Sequence, residues 1–331
     1  MQASNIPQSV PEHLVGLNPS LWRISENIAR DTLQKGVKIV AGSSFIDPAD
    51  PYGPLGNPFA VVIGENVPDL STDERLRIAK TTNTPETVFV NSCQTQAPHK
   101  YEVNLTVYTP SGSEMGACAH GFLGAIQTLL QSGEMQSNSA LTITTTLSTS
   151  AHATLNASGD IALGFQAVEP QELAVESQAL HAIYGVSFGD FKNLGILSVG
   201  SPKLTLEVTP QIFQKIQANL VHINYESLLS FQDENEINGV HIFCRNPDTS
   251  LPEKCIQNNA YSGPENLADR ATGVSNAAQI SADNAVKAGQ QLRVTQYSFD
   301  GPSAILAITK GEHGEVMVGG AAQLFNVQTY S

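Results

Sequence analysis

Three short polar stretches carry the residue types that can move a proton. Cys118-Ala119-His120 sets a thiol and an imidazole two residues apart, just ahead of an apolar period through Phe122, Leu123, Ile126, Leu129 and Leu130. Asp269 precedes Thr272-Gly273 and a second such period through Val274, Ala277 and Ala278. Glu86 follows Pro85 and precedes Thr87. A His beside an ionised carboxylate can hold or relay a proton, and an Asp ahead of a helix start can orient an amine or hydroxyl. Each also has an ordinary structural reading. His120 could be a capping or core His, Asp269 a helix-start acid favoured by the dipole, and Glu86 a solvated turn residue.

Metal and nucleotide chemistry find little support. Cys93, Cys118, Cys244 and Cys255 form no C-x-x-C pair, and no His falls at ligand spacing near them, so neither a structural zinc nor any other metal is expected. No phosphate-cradling glycine loop is present, and no cofactor is expected. The spacing of Cys244 and Cys255 would allow a disulfide, but in a reducing compartment four free thiols are the expectation.

The elements that would position these residues follow from pattern. Residues 1–36 read as an N-terminal extension with a short helix from Leu21 to Leu33 that stops at Gly36. A strand starts at Val37, and after a Pro/Gly-rich loop a second apolar run covers Phe59 to Ile63. Ser71-Thr-Asp-Glu74 is a capping box opening a helix to about Lys80. Alternation then marks strands at Val88 and Val90, at Val103, Leu105 and Val107, and at Leu141, Ile143 and Leu147; Leu155 and Ile161–Leu163 flank a turn at 156–160. Leu204, Leu206 and Val208 precede a helix capped by Thr209 with Pro210 at its first position, and strands follow at 239–244, 291–296, 304–309 and 315–318. Many strands and few helices give an α+β class.

With 331 residues and 41% hydrophobic content, the chain is long enough for two cores. The 31 acidic against 17 basic residues should repel phosphate backbones and anionic headgroups, so neither nucleic acid nor membrane is an expected partner. No run of about eighteen apolar residues occurs and the N-terminus lacks a basic start, so a cytoplasmic protein is expected.

The halves share a weak repeat. Tyr108 to Ile126 and Tyr261 to Ala278 each run strand, polar loop, helix, with the same 153-residue offset at Tyr108/Tyr261 and at His120/Gly273. The two helices are expected to stop at Gly133 and Gly289. Helix starts built of small residues expose backbone N–H groups, so two of them facing one another would hold a carboxylate; equally, Gly and Ala there could simply permit close packing inside a barrel.

Seven stretches in order resemble one family. Leu55-Gly-Asn57-Pro-Phe-Ala-Val-Val62, Asn83-Thr-Pro-Glu86-Thr-Val-Phe-Val90, Tyr108-Thr-Pro110 with Cys118-Ala-His120, Val199-Gly-Ser-Pro202, Asp269-Arg-Ala-Thr-Gly273, Gln296 ahead of Gly301-Pro-Ser303, and Gly314-Glu-Val-Met-Val-Gly-Gly320 are similar to motifs of the phenazine-biosynthesis PhzF-like proteins, within the diaminopimelate epimerase-like superfamily. The resemblance implies two pseudo-symmetric domains, at 37–165 (with part of the C-terminal strands) and 166–331. Each would be a mostly antiparallel, barrel-like sheet around a central helix, with a cleft between the two. It implies a cofactor-independent isomerase, a homodimer, acting on a small carboxylate or amino-acid-like metabolite in a specialised biosynthetic pathway. Glu86 aligns with the family's proton-shuttling glutamate, and His120 and Asp269 with its other polar site residues. Asn57, Pro85, Cys118, Ala119, Gly121, Thr272, Gly273, Val274 and Ser275 line up with substrate-binding positions.

Departures from the pattern narrow the carry-over. Pro85 and Val274 stand where Ser is usual, Ala119 where Gly is, and no Arg stands between Asp300 and Pro302, so the phenazine precursor itself is not the expected substrate. Cys118 sits where epimerases place one of two catalytic cysteines, but Arg270 and Ala271 offer no second thiol, which disfavours a two-thiol racemase. An epimerase pairing Glu86 with Cys118, and a degenerate member that binds a metabolite without turnover, are the alternatives.

Overall fold

A computed structural model describes residues 35–46, 56–82, 84–157, 160–260, 270–298 and 301–328. The expected helix at 21–33 and the stretch from Tyr261 to Asp269 lie outside them. The chain divides into two units, Met1–Leu163 with Gly320–Ser331, and Gly164–Gly319.

The first unit runs β1 (Lys38–Ile46), β2 (Asn57–Ile63), α1 (Thr72–Thr82), β3 (Glu86–Ala97), β4 (Lys100–Tyr108), α2 (Ala119–Ser132), β5 (Ser139–Thr145), β6 (Ser150–Leu155) and β7 (Ile161–Gln166). The second runs α3 (Ser177–Tyr184), β8 (Phe191–Leu197), β9 (Lys203–Val208), α4 (Pro210–Ala218), α5 (Tyr225–Asn235), β10 (Val240–Arg245), β11 (Pro252–Asn258), α6 (Gly273–Ala282), β12 (Gln291–Ser298), β13 (Gly301–Lys310) and β14 (Glu315–Gln328). The boundaries fall within β7, after Leu163, and within β14, at Gly320, so both strands are shared by the two units.

Strand order makes the repeat explicit. β1/β2 is antiparallel, β2/β3 parallel, β3/β4 antiparallel, β4/β5 parallel and β5/β6 antiparallel. The second unit follows the same sequence from β8/β9 to β12/β13. A parallel pair cannot be joined by a tight turn and needs a crossover. α1 and α2 supply the crossovers in the first unit, and α4 with α5, then α6, those in the second. α2 and α6 therefore occupy the same topological place, as the repeat in the sequence implies. β7 neighbours β14, and β14 pairs back onto β1, which closes eight strands into a ring. The class is α+β.

β2 shows how α2 is seated. Every residue from Asn57 to Ile63 is buried, because both faces of the strand are covered. Ala60 and Val62 pack with Ile78 and Ala79 of α1. Phe59, on the opposite face by the pleat, lies under α2, where a Cβ on Gly124 would come within 2.5 Å of its ring. In the second unit α3, α4 and α5 cover one face of the sheet through Leu180, Ile183, Phe213, Ile216 and Leu228 against Leu204, Leu206, Val240, Ile242 and Ile256.

The local signals hold where they are self-contained. Ser71 N–H donates to the Glu74 carboxylate at 2.9 Å and Glu74 N–H to Ser71 Oγ at 3.3 Å. Thr209 Oγ1 accepts from Ile212 N–H at 3.3 Å, with Pro210 opening α4. Gly133 ends α2 in the left-handed region at φ 80°. The second helix does not reach Gly289. α6 ends at Ala282, because Asp283 turns its carboxylate to Ala285 N–H (2.9 Å) and to Arg245 of β10 (2.8 Å), leaving Ala285 and Val286 outside the helix. Leu147 likewise falls beyond β5, half-exposed in a turn closed by Ser148 N–H on the Thr145 carbonyl. The four cysteines are free thiols. Among the described residues no helix is long and apolar enough to cross a membrane.

Candidate functional site

β2, β3 and α2 bring their first residues together. Phe59 of β2 registers with Glu86, the first residue of β3, so Asn57 and Glu86 begin two adjacent parallel strands. Pro85 suits the position before the strand, since it removes a donor that the ladder does not use there. The turn entering β3 is tied by hydroxyls: Thr84 Oγ1 donates to the Glu86 carbonyl at 2.9 Å, and Thr82 and Thr87 hydroxyls meet at 2.6 Å. Glu86 is thereby held by its backbone, 8% exposed.

α2 supplies the rest. Cys118 is its N-cap, and Ala119, His120 and Gly121 form its first turn, all buried. His120 Nε2 lies 2.8 Å from the Glu86 carboxylate. Asn57 Nδ2 lies 3.1 Å from Nδ1 of the same ring; on a neutral ring Asn57 donates and the Nε2 proton points at Glu86, whereas on a charged ring the amide must turn its oxygen to accept from Nδ1. The Cys118 sulfur touches both ring nitrogens, at 3.6 and 3.8 Å. Ser44 Oγ of β1 donates to the His120 carbonyl at 2.7 Å, fixing the helix start to the strand beside it. Gly121 has no room for a side chain, because a Cβ would come 2.7 Å from Val88 and 2.9 Å from the Cys118 sulfur.

The electrostatics follow from this packing. Burial disfavours a charged His120, but the Cys118 sulfur and the Glu86 carboxylate beside the ring outweigh it and hold the imidazole well above the ordinary histidine range. Burial pushes the Cys118 thiol up, with His120 pulling the other way. The arrangement sets a carboxylate and an imidazole in contact out of water, the kind of pair that can take up and return a proton. The donor atoms of Glu86, Cys118 and His120 all lie within 4.8 Å of one another, a cluster that linear spacing did not reveal.

In the second unit Thr272 caps α6, and Thr272, Gly273, Val274 and Ser275 are all buried at its start. Thr272 N–H donates to Gln296 Oε1 at 2.7 Å, and Ser303 Oγ to the Arg270 carbonyl at 2.6 Å. Gln296 and Ser303 thus hold the segment leading into the helix. Asp269 lies outside the described residues. Two residues escaped the sequence reading, Ser44 and Thr84. The signal for Ser44 was a hydroxyl inside the apolar strand of residues 37–46, a place where a polar side chain needs a partner.

A family model for PhzC-PhzF, phenazine biosynthesis-like protein, matches residues 52–222, just over half of the chain. The fold is similar to that of a PhzF-family phenazine biosynthesis protein from Bacillus anthracis, at 20% identity and TM-score 0.66, over 88% of this chain and 97% of that one. It is similar to a predicted epimerase from Pseudomonas aeruginosa, at 18% identity and TM-score 0.65, over 89% and 99%. A hydroxyproline epimerase from Agrobacterium vitis, solved with trans-4-hydroxy-L-proline bound, is similar at 12% identity and TM-score 0.56, over 89% and 91%. No curated protein sequence matches. The fold is therefore one shared with PhzF proteins and with epimerases.

Proposed function

From the premise that the chain belongs to the PhzC-PhzF family of phenazine biosynthesis-like proteins, we propose that it is an isomerase that shifts a proton on a small carboxylate or amino-acid-like metabolite without a cofactor. The observation that carries the reading is the buried 2.8 Å contact between Glu86 and His120 at the start of α2. A general base needs a neighbour that can carry positive charge and pass a proton, and His120 lies 2.8 Å away. Glu86 takes a proton from a substrate carbon and returns it to another. His120 balances the carboxylate's charge and can relay the proton. Asp269 is the residue we propose to orient the substrate's amine or hydroxyl. The proposal extends to a homodimer in the cytoplasm, serving a specialised biosynthetic pathway, with no nucleic acid or membrane as partner.

An epimerase pairing Glu86 with Cys118 is the second reading, favoured by the Cys118 sulfur at 3.6 Å from the same imidazole. Incubation with a panel of small amino and hydroxy acids in deuterated water separates the two. Isomerisation delivers deuterium to a new carbon, whereas epimerisation labels and inverts one stereocentre. Label uptake that persists in Glu86→Gln would exclude Glu86 as the proton carrier in either.

A further inference from the structure

We propose that Glu86, Cys118 and His120 form a binding site for a zinc-class divalent ion, and that such an ion blocks the site and does not serve it. Three observations meet here. First, the donor set is a carboxylate oxygen, an imidazole nitrogen and a thiol sulfur, a mixture that suits zinc better than hard cations, and all three residues are buried. Second, the distances are close to those that an ion requires. Zinc bonds of about 2.0–2.3 Å set neighbouring tetrahedral donors about 3.3–3.6 Å apart. The Cys118 sulfur lies 3.8 Å from His120 Nε2, and Nε2 lies 2.8 Å from the Glu86 carboxylate, so the carboxylate must retreat by about half an ångström for an ion to enter. Third, the ring already has its outer partner. Asn57 meets Nδ1 at 3.1 Å, and its amide can turn its oxygen to accept an Nδ1 proton while Nε2 ligates, the usual support for a metal-bound His.

On binding, Cys118 releases its thiol proton and Nε2 is left unprotonated, the displaced protons passing to solvent. The ion then occupies the lone pairs that a proton transfer would use. Metal retention at the site does not depend on the proposed activity; only the inhibition does.

The test uses the full chain and two ions. Equilibrium dialysis against Zn²⁺ should leave one equivalent bound, and Co²⁺ in its place should show a near-ultraviolet thiolate-to-metal band. The band should survive Cys93→Ser, vanish in Cys118→Ser, and shift or vanish in His120→Asn, which keeps the thiol. Asn57→Ala should weaken Zn²⁺ retention roughly ten- to a hundredfold. Wild-type chain with no retained equivalent and no band overturns the proposal, as does a band indifferent to His120→Asn, a readout that stands even where Cys118→Ser fails to fold. Bound Zn²⁺ should abolish deuterium uptake, and a chelator should restore it. One equivalent retained with uptake undiminished would leave the metal site standing and remove Glu86 from the reaction.

Discussion

His241 offers a quantitative test of how the second unit is built. It lies on β10, opposite Gln257 of β11 and beside Thr205 of β9, with no exposure to solvent. Burial lowers its pKa to about 4, Gln257 working against the shift and the Lys203 charge adding to it. In the unfolded chain a histidine titrates near about 6.5. The folded value is depressed, so the unfolded chain binds the extra proton between the two. Stability is unaffected at neutral pH, begins to fall below about pH 6.5, and is fully penalised below about pH 4. A shift of about two and a half units at about 1.4 kcal/mol each makes the loss about 3 kcal/mol. The perturbation is His241→Gln, which keeps a polar side chain and cannot charge. Urea denaturation of both proteins at several pH values between about 7 and 4 gives the measurement, since packing changes offset the variant equally at every pH. The variant should lose about 3 kcal/mol less than the wild type across that range. If the two curves run parallel, His241 is not held neutral by burial and the polar side of this sheet is wetter than its packing implies.

Other outcomes follow from the first unit and the caps. Glu86→Gln should cost at least a hundredfold in deuterium uptake while leaving thermal melts near the wild type, because the amide keeps the volume and cannot take up a proton. His120 is raised in the folded state, so the stability it adds is fully present below about pH 6.5 and is lost as pH rises through its folded value. The gap between wild type and His120→Asn should therefore shrink as pH is raised above about 6.5 in denaturation experiments. Gly121→Ala should destabilise by about 1–3 kcal/mol, since its methyl meets Val88 and the Cys118 sulfur, and calorimetry would show it. Thr209→Ala should cost about 1 kcal/mol through loss of the α4 cap.

What the sequence determined by itself is what neighbours in the chain decide. The Ser71 to Glu74 box, the Thr209-Pro210 start and the Gly133 stop each involve groups within a turn or two, so their residue types suffice to reveal them. The motif order carried the family, and with it Glu86, His120 and Cys118 as candidates. Tertiary structure decided the rest. Glu86 and His120 lie more than thirty residues apart, and they meet because the parallel pairing of β2 and β3 and the seating of α2 over Phe59 aim three element starts at one point. Spacing in the chain gave no hint of that three-residue donor cluster. The end of α6 makes the same point: Gly289 looks like a stop, yet Arg245 of another strand draws Asp283 out of the helix seven residues after Asn276. Contacts between distant elements set these positions, because the cost of burying a charge is met by whatever partner the fold brings within reach, and no local window contains that partner.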